Sequence, residues 1–265
     1  MSAVRRRTAY RTLWISDVHL GSPGCQAARL ADFLQRHDCE QLYLVGDIFD
    51  GWKMRTRFYW TPDQSRVIRA VIAKARRRTR VCYLTGNHDG FMRQFITSEL
   101  PFGKIHLAHE LVHTTADGRR LLILHGDIYD DLITRLPRLA RAGDRAYNLL
   151  IAANALVNRA RAGLGKPGLH IAGTTKDVVK TAVQFICGVD MRMQGRCERA
   201  GLQGVICGHT HHPEIRDLGE GITYYNCGDW VDSCTALAED FKGNIRLIRA
   251  EPMPAQQAAA EHAAA

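Results

Sequence analysis

Five short apolar runs in this chain each stop at residues that can bind a metal ion or move a proton. "TLWIS" (12–16) runs into Asp17-Val18-His19, and "LYLV" (42–45) into Gly46-Asp47, with Asp50 three residues on. "VCYLT" (81–85) runs into Gly86-Asn87-His88-Asp89, "LLIL" (121–124) into His125-Gly126-Asp127, and "GVIC" (204–207) into Gly208-His209-Thr210-His211. Runs of this length, rich in β-branched and aromatic residues, read as buried strands. A glycine beside the polar residue permits a tight turn. In open α/β sheets ligand sites collect at the carboxyl ends of the strands. One such coincidence means little, but five in one chain are hard to explain by packing alone.

Between the early runs, Ala27 to Gln35 and Ser65 to Arg78 carry apolar residues at helical spacing, so strands alternate with helices and the chain reads as α/β. "ITYYNC" (222–227), "CTALAED" (234–240) and "NIRLIRA" (244–250) form a β-rich closing section. Residues 130–200 break the rhythm. The stretch "AYNLLIAANALVN" (146–158) is too apolar for a freely solvated helix, and Pro137, Gly143 and "GLGKPG" (163–168) punctuate its surroundings. The expected organisation is one domain over 1–250 with a helical insertion at about 130–200, followed by a frayed Ala-rich tail over 251–265.

The chain carries a formal charge of +9, which favours an anionic partner. Leu132 to Lys180 alone holds nine Lys/Arg against Asp144 and Asp177, a local balance of +7. Eight cysteines without a CxxC pair, several inside apolar runs, read as reduced thiols of a cytosolic protein. Polar residues interrupt the basic start "MSAVRRRTAYRTLWIS" before a signal-peptide core can form, and no apolar run reaches the length of a membrane span.

The ligand types narrow the chemistry. Carboxylates, imidazoles and one carboxamide, without cysteine, suit Mn, Fe or Zn in a reactive site better than a structural zinc. Seven or so ligands exceed what one ion needs and match two, roughly 3.5–4 Å apart, the clamp used on phosphate esters and anhydrides.

The motifs D-x-H, G-D-x-x-D, G-N-H-D, H-G-D and G-H-x-H occur in that order between Asp17 and His211. By them the chain resembles the calcineurin-like metallophosphoesterases. "ISDVHLGSPGC", "LVGDIFDGW", "GHTHHPEI" and the insertion make it similar to the UDP-2,3-diacylglucosamine diphosphatase group. The resemblance implies an αββα sandwich with a dinuclear metal site at strand carboxyl ends. Asp17, His19 and His211 are then expected on one ion, Asn87, His125 and His209 on the other, with Asp47 between them. Two Mn²⁺ ions are the expected cofactors, Fe or Zn being accepted by the same ligands.

The group cleaves the pyrophosphate of a UDP-lipid to UMP and a lipid monophosphate in lipid A synthesis. His88 and Asp47 are the expected catalytic residues, with Asp89 or Asp50 orienting His88 and Asp127 fixing a ligand histidine or a turn. The well-studied lipid A enzymes carry Arg where this chain has His88, which is the general superfamily form. Asn87, Arg55, Arg57, Arg135, Arg138, Lys176 and Lys180 are the candidate substrate contacts, joined by Arg141 and Arg145 on the basic face of the insertion. That face suits phosphates or an anionic membrane. The expected location is cytoplasmic, at the inner face of the inner membrane. His209 and His211 are expected to alternate from a strand end, with His212 turned away. His37, His106, His109, His113, His170 and His262 lack motif context, and Trp14, Trp52, Trp60 and Trp230 read as core. Two rivals stand beside this reading: a phosphodiesterase or nucleotide pyrophosphatase acting on soluble substrates, and a nucleic-acid or membrane-binding protein with an inactive site. The filled ligand positions favour an enzyme without a nucleic-acid partner.

Overall fold

The structure, a computed structural model, describes residues 8–96, 105–129 and 188–251. The chain divides into two compact units, Met1–Asp127 with Arg196–Ala265, and Ile128–Gly195. The first unit carries two β-sheets. Strands β1 (Thr8–Ile15), β2 (His37–Val45), β3 (Arg80–Leu84), β4 (Ile105–Ala108), β10 (Thr235–Glu239) and β11 (Ile245–Arg249) form one sheet in the order β11-β10-β1-β2-β3-β4. Strands β5 (Glu110–Thr114), β6 (Arg120–Leu124), β7 (Gly204–Cys207), β8 (Glu214–Asp217) and β9 (Thr223–Asn226) form the other, in the order β5-β6-β7-β9-β8.

The apolar runs are continuous because both faces of these strands are buried. In β1, Leu13 and Ile15 face a core shared with the helices, and Trp14 faces the second sheet. Leu42 and Leu44 likewise oppose Tyr43 and Val45 in β2, as Val81 and Tyr83 oppose Cys82 and Leu84 in β3. From the second sheet Leu121, Ile123, Ile206 and Tyr225 close the inner core. Each such side chain contributes about 1.5–3 kcal/mol on full burial, so the registers β1–β2 and β2–β3 are strongly specified.

Helix α1 (Ala27–Arg36) buries Ala27, Leu30, Ala31 and Leu34 on one stripe. A short helix α2 (Gly51–Thr56) is capped by Asp50, whose carboxylate accepts the Lys53 N–H at 3.0 Å. Helix α3 (Pro62–Arg76) starts at Thr61, with Pro62 preset for the first turn, and buries Gln64, Val67, Val71, Lys74 and Ala75. Helix α4 (Val189–Ala200) brings Cys197 Sγ within 3.6 Å of the Gly204 carbonyl of β7. The two-sheet α/β sandwich is the architecture the motifs implied. Most of the expected insertion at 130–200, and the tail beyond 251, lie outside the described residues.

Three strands were not foreseen. β4, β5 and β8 are edge strands, half-buried and partly polar, and lack the apolar runs that mark the central ones. All seven described cysteines are free. Among the described residues no helix is long and apolar enough to cross a membrane.

Candidate metal centre

The five strand ends meet where the carboxyl edges of β1, β2, β3, β6 and β7 converge. Asp17, His19, Asp47, His209 and His211 all hold left-handed backbone, with φ of 51°, 54°, 53°, 66° and 58°. Among the described residues only Glu220 and Cys234 are further non-glycine examples. Each left-handed residue of this kind costs about 1–3 kcal/mol and persists only where surrounding contacts over-determine it. Here the Asp17 N–H donates to the Gly46 carbonyl at 3.2 Å, and the Val18 and His19 N–H groups share the Asp47 carbonyl at 3.0 Å. The Gly208 N–H donates to the His125 carbonyl at 3.1 Å. Two carboxylates then cross between loops: Asp17 Oδ2 accepts the His209 N–H at 2.8 Å, and Asp47 Oδ1 accepts the His88 N–H at 2.8 Å.

The side chains gather into three groups whose ligand atoms lie within 4.8 Å of one another: Asp17, His19 and His211; Asp47, His125 and His209; and His19, Asp47 and His88. His211 Nε2 stands 3.3 Å from Asp17 Oδ1 and 3.3 Å from His19 Nε2, and His125 Nε2 stands 3.3 Å from Asp47 Oδ2. Two ligands at 2.0–2.2 Å from one ion are themselves about 3.0–3.4 Å apart. Asp17 Oδ1, Asn87 Oδ1 and His125 Nε2 are buried without a hydrogen-bond partner. An unpartnered buried polar atom costs about 1–3 kcal/mol, so atoms that approach closely yet are misaligned for hydrogen bonding point at a shared third position. The oxygen and nitrogen donors fit a divalent cation of the Mn, Fe or Zn type.

The electrostatics agree. Burial alone would raise the Asp17 carboxyl, but the His125 charge, His211 and Ser16 outweigh it and hold it at about 2. Asp47 is lowered despite its burial, chiefly by the close approach and charge of His125. Burial would lower His125, yet Asp17 and Asp47 push it up to about 10. His211 is raised against its burial by Asp17, and His19 is lowered by burial. The carboxylates are ionised and ready to bind, and a cation would take the place of the positive imidazole charge.

The surrounding residues sort the remaining expectations. His88 Nδ1 lies 3.1 Å from Asp50 Oδ1, so Asp50 and not Asp89 faces it. Asp89 accepts the Gly86 and Ile48 N–H groups and the Tyr83 hydroxyl, and burial raises its carboxyl. Asp127 pairs with Arg93 at 2.7 Å, and Arg93 also donates to the Gly86 carbonyl at 3.2 Å, which ties the β3 and β6 loops together. His209 and His211 do join different groups, but from left-handed turns rather than alternate positions of an extended strand. His212 is exposed.

Trp52 corrects the core expectation: it is 56 % exposed and stacks on His88 with ring centroids 3.9 Å apart. It is the second residue of α2, just after the cap Asp50 that holds His88, so its ring lies at the edge of the site. Arg55 and Arg57 are exposed beyond it, while Arg135, Arg138, Arg141, Arg145, Lys176 and Lys180 lie outside the described residues. Asp229, in the loop after β9, was missed. Its signal was present, since "NCGDW" is a sixth strand end delivering Gly-Asp.

Two buried sheets whose loops converge on paired Asp/His groups define a metal-dependent hydrolase. Its family follows from comparison: the calcineurin-like phosphoesterase model matches residues 10–213, and the chain belongs to that family. It is 27 % identical over 252 residues to a UDP-2,3-diacylglucosamine hydrolase of Shewanella pealeana, covering 90 % of this chain and 97 % of the relative. A UDP-2,3-diacylglucosamine hydrolase of Aeromonas salmonicida is 28 % identical over 241 residues, covering 85 % and 88 %. Among solved structures an archaeal phosphodiesterase is similar with a TM-score of 0.42 at 14 % identity, covering 89 % of this chain and 98 % of its own.

Proposed function

We propose that the chain hydrolyses the phosphoanhydride of UDP-2,3-diacylglucosamine to UMP and 2,3-diacylglucosamine 1-phosphate, a step of lipid A biosynthesis. The hydrolytic part rests on the Asp17–His19–His211 and Asp47–His125–His209 groups, linked by a third group that holds His19 and Asp47 together. The substrate rests on near full-length similarity to relatives named for it.

In this reading Asp17, His19 and His211 hold one divalent cation, Asn87, His125 and His209 the other, and Asp47 serves both, with Mn²⁺ as the resident metal. Bound there, the cations supply an activated water and neutralise charge on the phosphoryl oxygens. The protein's own groups do the rest. Water adds to phosphorus, the anhydride P–O bond breaks, and the leaving oxygen needs a proton or a positive neighbour. His88 meets that need: its Nδ1 is held by Asp50, which leaves Nε2 for the leaving group. Trp52, stacked on the ring, restricts His88 to this orientation. Arg55, Arg57 and the basic residues Arg135, Arg138, Lys176 and Lys180 are assigned to the diphosphate and to an anionic membrane surface, placing the enzyme at the cytoplasmic face of the membrane.

The deciding experiment is an assay of the Mn²⁺-loaded protein on UDP-2,3-diacylglucosamine and on a generic aryl phosphodiester, with Asp47→Ala beside it. UMP release from the lipid, lost in the variant, is the expected result. Hydrolysis of the aryl ester alone would move the assignment to a phosphodiesterase or nucleotide pyrophosphatase with soluble substrates, a reading that the general superfamily residue His88 favours.

A further inference from the structure

We propose that Asp229 is a positioning residue that fixes the tautomer of His211 and thereby sets the cation affinity of the Asp17–His19–His211 group; this rests on reading that group as a cation site. An imidazole binds a cation through an unprotonated nitrogen, so its other ring nitrogen must carry the proton and needs an acceptor to keep it there. Three histidines of the centre turn one nitrogen to the ligand cluster and the other towards an oxygen, within hydrogen-bond distance in His125 and at ion-pair distance in His19 and His211. His125 turns Nε2 towards Asp47 and gives Nδ1 to the Val45 carbonyl at 2.9 Å. His19 turns Nε2 towards His211 and sets Nδ1 3.7 Å from Asp50 Oδ2. His211 turns Nε2 towards Asp17 and His19, and its Nδ1 lies 3.8 Å from Asp229 Oδ2.

Asp229 is built for that task. Its Oδ1 accepts the N–H groups of Val231, Asp232 and Ser233 at 2.8, 2.6 and 3.1 Å, which locks the carboxylate in place. Its Oδ2 is buried and has no hydrogen-bond partner, in a residue only 1 % exposed. The turn is fastened to the centre, because the Trp230 N–H donates to the Asp17 carbonyl at 3.0 Å. The need is greatest at His211, whose side chain is 39 % exposed against 8 % for His19 and 0 % for His125. Water could otherwise serve either ring nitrogen and leave the tautomer open.

Asp229→Asn separates this role from the turn. The asparagine oxygen can still accept the three N–H groups, which leaves the amide NH₂ where Oδ2 stood. A donor in that place pairs with an unprotonated Nδ1 and moves the ring proton to Nε2, the atom that faces Asp17. The test is titration of the metal-stripped full-length protein with Mn²⁺, with free Mn²⁺ followed by electron paramagnetic resonance. D229N should weaken one class of site by about 10–100-fold, the usual effect of losing such a partner, and leave the other unchanged. The thermal midpoint of metal-free D229N should match the wild type, which excludes loss of the turn as the cause. In an H211A background D229N should produce no further loss. Wild-type affinity in D229N, or an equal loss in the H211A background, overturns the inference. A wild-type protein that binds no Mn²⁺ overturns the proposed function itself, a distinct result.

Discussion

Asp50 serves two masters: its Oδ1 lies 3.1 Å from His88 Nδ1, and the same oxygen accepts the Lys53 N–H at 3.0 Å as the cap of α2. The ring it holds is the only proposed proton donor near the metal ligands that is not itself a ligand. His88→Asn should therefore lower kcat by about 10²–10⁴-fold, the range of a lost general acid. Bound Mn²⁺ should be unchanged. Asp50→Asn keeps a good helix cap and should lower kcat by about 10–100-fold. Steady-state kinetics with metal content measured on the same samples checks both, and full activity in H88N would remove that residue from the reaction.

Gly208 has no room for a side chain. A Cβ there would overlap Ser16 Oγ and Asp17 Oδ2. The Ser16 hydroxyl lies 2.6 Å from Asp17 Oδ2 and 2.7 Å from the Val45 carbonyl, with one proton to share between these two acceptors, so neither neighbour is free to yield. Gly208→Ala should cost about 1–3 kcal/mol as overpacking and should weaken Mn²⁺ binding as well. Urea unfolding and metal titration on one preparation would separate the two effects. Unchanged metal affinity would mean that the loop after β7 can shift without moving Asp17.

Removal of metal should be visible as stability. A ligand that binds only the folded state stabilises it by about 2.7 kcal/mol at 100 times its Kd. EDTA treatment should therefore lower the melting temperature and abolish hydrolysis, and added Mn²⁺ should restore both. A melting temperature indifferent to both treatments would contradict the reading of Asp17, Asp47 and the four histidines as cation ligands.

Away from the centre, Glu239 of β10 is fully buried and ties the two sheets together. It accepts Arg11 at 2.8 Å, the Thr12 hydroxyl at 2.6 Å, His113 at 3.0 Å and the Ala116 N–H at 2.7 Å. Burial would raise its carboxyl, but His113, Thr12 and Ala116 hold it below its ordinary 4.5. The folded protein thus binds this proton less readily than the unfolded chain. The stability it contributes is complete above pH 4.5 and is lost as pH falls through the lower folded value. Glu239→Gln should cost about 3–5 kcal/mol at neutral pH, as when one member of a buried ion pair is removed. That deficit should shrink below pH 4.5. Urea denaturation at pH 7 and pH 4 tests it, and a deficit that stays constant would mean Glu239 is not the titrating group.

Much of this protein was legible in its sequence because its central strands are buried on both faces. Burial writes an unbroken apolar run, as in Leu42 to Val45, and the run ends where the chain meets the site. The edge strands β4, β5 and β8 left no such mark, since solvent on one side permits His106, Glu110 or Arg216. Asp229 carried the Gly-Asp signal but followed a run read only as closing sheet, so nothing in the order of residues tied it to His211.

The sequence by itself determined the kind of residue at each strand end and, through burial periodicity, which runs become central strands. Only the tertiary structure decided how those ends divide. Asp47 joins two groups because the β2 and β3 loops exchange a hydrogen bond from His88 to its carboxylate. His209 and His211 part because each turns through a left-handed residue, with His209 pinned by Asp17 from the other sheet. Which of Asp50 and Asp89 faces His88 was settled by competition, since Asp89 is consumed by Tyr83 and two N–H groups. Strand periodicity is a local property of the chain, whereas the direction of a ligand atom is set by hydrogen bonds between loops distant in the chain, such as His88 to Asp47 and His209 to Asp17, and it exists only once both sheets have packed.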